Sequence, residues 1–215
     1  MRATLIEGAS TAYGMDAGEY GGWVAQLHRD RQAYNARHRS NPQIVINHSL
    51  PGLALPFFNK RFPSTIPPIV DMCDGAAVRV LSLGINEAKI FPGNARPIID
   101  LPRFTTELST YARDAADLGI PAIYVGSQPV DESKTRPVSS TGSMIEDDFL
   151  EEYDELTRRR AIEDGMPYVD VRTLFGGFAL NEVLAEDGYH PNVLGHQVIY
   201  LGVQRALAQT GFAID

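Results

Sequence analysis

The chain has a single cysteine, Cys73, in 215 residues, so an intramolecular disulfide framework is excluded and a buried free thiol is expected. No run of about 18 apolar residues is present, so no transmembrane helix is expected. The N-terminus, "MRATLIEGAS", has one arginine and few apolar residues before a glycine. That is no signal peptide, and cytoplasmic residence is the corresponding expectation. Basic blocks are also missing. With 19 Lys and Arg against 27 Asp and Glu, the formal charge is −8, which argues against a nucleic-acid partner. The densest cluster, Arg158 to Arg160, lies within an acidic run and reads as a solvated helix face. Internal repeats and low-complexity tracts are absent too. What is present is an ordinary globular composition, 44% hydrophobic and 21% charged, of a length that suits one domain spanning 1–215.

Short Val- and Ile-rich runs alternate with longer helical patterns. The candidate strands are 3–7, 43–47, 77–83, 121–126 and 167–171, nearly continuous in apolar character, as parallel strands covered on both faces are. Leu101, Phe104, Leu108, Tyr111, Ala115 and Leu118 recur at helical spacing, and Gly119 and Pro121 end that helix. Further helices are expected at about 20–38, 145–164 and 192–209, the last with Leu194, Val198 and Leu201 inward and Pro191 in its first turn. The proline-rich segment 53–74 and the polar segment 127–144 read as irregular connections, the second a candidate lid. The βα alternation predicts an α/β fold: a three-layer α/β/α sandwich around a central parallel sheet of about five strands.

Open α/β sheets bind ligands beyond the carboxyl ends of their strands. Those ends carry "EGASTAYG" with Ser10, "NHSLPGLA" with Gly52, "SLGINEAK" with Asn86 and, farther on, "EDGYHPNVLGHQ" with Asp187 and His190. Together they offer acyl transfer. A serine hydroxyl needs a base, a neutral imidazole suits that task, and a carboxylate on its other nitrogen fixes the tautomer. Ser10, His190 and Asp187 are the candidates, with Gly188 permitting the turn between the last two. The backbone N–H groups of Ser10 and Gly52 and the side-chain amide of Asn86 are candidate oxyanion donors.

These four blocks resemble the SGNH hydrolases, the superfamily of the GDSL-type esterases and lipases. Its serine, glycine, asparagine and histidine match Ser10, Gly52, Asn86 and His190. Its Asp-x-x-His block with a following proline matches Asp187 to Pro191, and its Gly-x-Asn block matches Gly84 to Asn86. The resemblance spans essentially the whole chain. It implies a flavodoxin-like α/β/α fold and hydrolysis of a small-molecule carboxylic ester without metal or organic cofactor. Two positions depart from the pattern: Ala9 stands where the family usually has aspartate before the serine, and Glu87 stands where it has aspartate after the asparagine. Glu7 is a candidate to replace part of the lost network.

Phe57, Phe58, Phe62, Phe91 and His48 follow strand ends and are candidates to line a substrate pocket, with packing in the core as the competing role. His28 and His38 read as polar-face residues of the first helix and His196 as a helix hydrogen-bonding residue; none is assigned a metal. Competing functions are an acyltransferase or thioesterase with the same triad, a non-catalytic relative that keeps the fold, and a flavodoxin-like nucleotide- or flavin-binding module that cradles phosphate in "ASTAYG". The sequence leaves the oligomeric state open.

Overall fold

The computed structural model describes residues 1–213. Its centre is a sheet of strands β1 (Arg2–Gly8), β2 (Gln43–Asn47), β3 (Ala77–Ser82), β4 (Ala122–Val125) and β5 (Tyr168–Val169) in the order β2-β1-β3-β4-β5. Every pairing is parallel. The helices are α1 (Ser10–Tyr13), α2 (Gly22–Arg37), α3 (Leu55–Thr65), α4 (Pro67–Met72), α5 (Leu101–Asp117), α6 (Glu132–Thr135), α7 (Asp147–Asp164), α8 (Val171–Phe175), α9 (Leu180–Val183) and α10 (Val193–Gln209).

Successive strand side chains point to opposite faces, and the core divides accordingly. Ile6, Val78, Val80, Ile123 and Val125 meet Trp23, Leu27, Ile199 and Val203 of α2 and α10. Ala3, Leu5, Leu81 and Tyr124 meet Leu55, Phe104, Leu108, Leu150 and Tyr153 of α3, α5 and α7. The expected three-layer sandwich is thus present. Its buried centre also holds an ion pair, Arg79 Nε to Glu7 Oε2 at 2.8 Å, with the guanidinium over the Tyr111 ring at 3.7 Å. Glu7 therefore faces α3 and α5, so its proposed role in replacing the aspartate lost at Ala9 is not borne out.

Three further expectations are corrected. Segment 53–74 is mostly helical: Pro56 and the Pro67–Pro68 pair occupy first-turn positions, where a missing N–H costs nothing, although Pro63 lies within α3. On α10, Leu194 and Leu201 are exposed, and the inward face carries His196, Ile199, Val203 and Leu207. Apolar residues surround this helix, so periodicity alone does not choose its face; close approach does. A Cβ on Gly202 would lie 2.6 Å from Val169 Cγ1. Finally, Pro191 precedes α10, whose N-cap is Asn192, accepting from the Gly195 N–H at 3.1 Å. Cys73 is buried, as expected.

Candidate active site

The chain runs from β1 outward to β2 and then returns to β3 on the other side of β1, so the strand order reverses there. Ser10 follows β1 at this switch point, where α/β sheets open a crevice. Gly8 makes the sharp exit possible, since a Cβ would stand 2.6 Å from Ala12 Cβ and 2.7 Å from the Ser82 carbonyl oxygen. Ser10 then opens α1, and its carbonyl accepts from Gly14 and Met15 N–H, each at 3.0 Å.

His190 arrives from the opposite end of the sequence. Its Nε2 is 2.7 Å from Ser10 Oγ, and its Nδ1 is 2.5 Å from Asp187 Oδ2. The other Asp187 oxygen accepts the backbone N–H groups of Tyr189 at 3.1 Å and His190 at 3.0 Å, so the carboxylate is fixed by its own turn. Gly188 allows that turn through a φ of +79°. Burial alone would raise the Asp187 pKa; the hydrogen bonds from the His190 ring and the two amides outweigh it and hold the carboxyl below its ordinary value. The polar segment 127–144 supports this turn from outside: Asp131 N–H donates to the Gly188 carbonyl at 2.7 Å, while Val130, Thr135, Val138 and Ser143 are buried.

The other two blocks are tied to the same edge. Leu50 N–H donates to the Gly8 carbonyl at 3.1 Å, which holds the Gly52 turn beside the end of β1. Asn86 Nδ2 donates to the Leu53 carbonyl at 2.8 Å. Glu87 is fully buried and accepts the N–H of Leu55 at 2.7 Å with one oxygen and that of Gly84 at 3.0 Å with the other. Among the described residues, the backbone N–H groups of Ser10 and Gly52 meet no backbone acceptor.

Two side chains near the site carry no signal recognisable from spacing. Asp16 Oδ2 lies 3.2 Å from His190 Nδ1, giving that ring nitrogen a second carboxylate. Asp16 has φ +60°, which is unusual outside glycine, and its loop is pinned where His196 Nε2 meets the Met15 carbonyl at 3.0 Å. His196 thus ties α10 to the serine loop rather than bonding within its helix. The other is Lys89, whose ammonium lies 5.0 Å from the centre of the Tyr189 ring, itself 4.1 Å from the His190 ring.

The aromatic candidates divide. Phe58 is buried and packs edge-on against Phe57, which lies beneath the Arg61 guanidinium. Phe91 is exposed in a shallow surface depression with Arg96 and Ile98. His48 is half-buried, its Nε2 is buried without a partner, and burial lowers its pKa. Phe62 packs against Arg79. The small cavity beside Ser10, about 20 Å³, is bordered instead by Ala9, Thr11, Ser82, Ile85, Ser127 and Gln128. A larger surface groove, between α5, α7 and α8, is remote from it.

Residues 7–198 match the GDSL-like Lipase/Acylhydrolase family. The chain belongs to this family. Hydrolase activity follows from that membership, and solved relatives share the architecture of this GDSL-family protein. A lipase/acylhydrolase from Enterococcus faecalis superposes with a TM-score of 0.73 at 17% identity, covering 97% of this chain and 96% of that one. An acetyl xylan esterase from Geobacillus stearothermophilus gives 0.71 at 18% identity, covering 100% and 96%. The protein TesA gives 0.67 at 19%, covering 97% and 99%. No curated protein matches the sequence. No helix among the described residues of this GDSL-family chain is long and apolar enough to cross a membrane.

Proposed function

We propose that this GDSL-family hydrolase cleaves carboxylic esters through an acyl-enzyme on Ser10. The observation that carries the reading is the continuous line from Ser10 Oγ through the His190 ring to Asp187, with contacts of 2.7 and 2.5 Å. In this reading His190 is neutral, with its proton on Nδ1 facing Asp187 and the Nε2 lone pair facing the serine. Nε2 takes the hydroxyl proton as Oγ attacks the ester carbonyl. The resulting oxyanion is met by the N–H groups of Ser10 and Gly52 and by the Asn86 amide. Collapse expels the alcohol, which receives the proton from Nε2; water then repeats the sequence and releases the acid.

Asp187 orients and stabilises the imidazolium, and Asp16 adds a second negative charge at the same nitrogen. The deacylating acceptor is taken as water, in keeping with hydrolase family membership. A phosphate-cradling role for "ASTAYG" suits the site less well. Ser10 Oγ is already engaged by His190, and Asp187 and Asp16 add negative charge next to it.

The test is covalent labelling with a fluorophosphonate alongside turnover of 4-nitrophenyl acetate. Ser10→Ala is expected to remove the label and to lower turnover by roughly 10⁶, the scale of losing a triad nucleophile. Activity retained in a folded Ser10→Ala protein refutes the mechanism.

A further inference from the structure

We infer that Lys89 is an anion-recognising residue of this site and that the favoured substrates are esters carrying a carboxylate near the scissile bond. The inference rests on the ester-hydrolase reading above and names the substrate class within it.

Lys89 stands three residues after Asn86 and is joined to it through its own N–H, which reaches the Asn86 carbonyl at 3.4 Å. The side chain crosses to the other half of the site and ends over Tyr189, the residue before His190. Its ammonium therefore stands on the far side of the Tyr189 ring, whose centre is 4.1 Å from that of the candidate base.

Among the described residues no carboxylate lies within ion-pair distance of Lys89, in contrast to Lys134, which pairs with Asp131. Glu87 and Asp187 are the carboxylates whose fields reach Lys89. Both are committed elsewhere: Glu87 to the Gly84 and Leu55 amides, Asp187 to His190 and its own turn. Burial accordingly lowers the Lys89 pKa, against the opposing pull of those two carboxylates. A half-buried ammonium against an aromatic face, with no side-chain acceptor of its own, keeps only part of its hydration and has donors to spare for a ligand. A carboxylate on the substrate supplies the missing partner. It also explains why an acidic chain of charge −8, with Asp16 and Asp187 at its reacting histidine, keeps a cation there.

The experiment compares kcat/KM for two pairs of chromogenic esters. Mono-4-nitrophenyl glutarate against 4-nitrophenyl butyrate places the carboxylate in the acyl part. The acetate of 4-hydroxy-3-nitrobenzoic acid against the acetate of its methyl ester places it in the alcohol part. At least one anionic member is expected to exceed its neutral partner by about tenfold, as a charge-assisted contact of ordinary strength gives. Lys89→Met is expected to bring that ratio close to one, and Lys89→Arg to retain most of it. Because the readout is a ratio within each variant, a loss of folded protein does not imitate it. Ratios near one in the wild type for both pairs, or a preference that survives Lys89→Met, overturn the inference. Failure of the underlying reading looks different: no Ser10-dependent turnover of any ester, neutral or anionic.

Discussion

Replacing Asp187 by asparagine tests how the histidine is held. The Asp187 Oδ1 atom accepts two backbone N–H groups, and an asparagine oxygen takes over that role, so the turn is expected to survive. The amide nitrogen then faces His190 Nδ1, where a donor favours the wrong tautomer; in serine-histidine-aspartate sites with a single carboxylate that substitution costs about 10⁴ in kcat. This site has Asp16 Oδ2 at 3.2 Å from the same nitrogen. A charge-assisted hydrogen bond to it contributes about 1.5–3 kcal/mol, a factor of roughly 10–100. The expected loss for Asp187→Asn is therefore only about 10²–10³. Asp16→Asn alone is expected to cost less than about tenfold, because Asp187 keeps the shorter contact, and the double variant is expected to reach the full loss of about 10⁴. The assay is kcat on 4-nitrophenyl acetate for all four proteins, with circular dichroism confirming the fold. An Asp187→Asn loss of about 10⁴ with Asp16 intact, or a double variant no worse than Asp187→Asn alone, refutes the role given to Asp16.

Asn86→Ala is expected to lower kcat by about 10²–10³ with a smaller effect on KM, as loss of an oxyanion donor does; a change confined to KM assigns Asn86 to ground-state binding instead. Acid stability follows from the buried histidines. Burial holds His196 below its ordinary value of 6.5 despite its bond to Met15, and burial lowers His48 as well. The unfolded chain therefore binds more protons than the native one as pH falls through that value, so stability is intact above about pH 6.5 and declines below it. Urea midpoints at pH 7.5 and 5.5 measure the decline, and it should shrink in His196→Gln; an unaltered difference in that variant removes His196 as a source.

The sheet was legible because its strands are short, Val- and Ile-rich and buried on both faces, and β2 at 43–47 has the expected bounds. The Ser10, Asp187 and His190 constellation was legible because each residue stands at a strand end or turn marked by glycine. What escaped sequence reasoning depends on through-space contact. The inward face of α10 is chosen by the close approach of Gly202 to Val169, which no periodicity records. The fate of Glu7 is decided by Arg79, 72 residues away, and reading a carboxylate near the serine as a site residue overlooked that partner. Asp16 and Lys89 reach the site from neighbouring loops with no motif of their own. Phe58 shows the same limit in reverse, because an aromatic residue after a strand end carries no mark that separates a pocket wall from the core.

The bridge made by Glu87 has a consequence for how this site can change. One side chain joins the Gly84 amide, at the start of the asparagine turn, to the Leu55 amide, at the head of α3. Asn86 then grips the Leu53 carbonyl one residue from Gly52. Two separate strand ends are thereby latched into one rigid piece, and neither can drift to suit a new substrate without carrying the other. Redesign that grafts one of these loops without the other is therefore expected to loosen both at once.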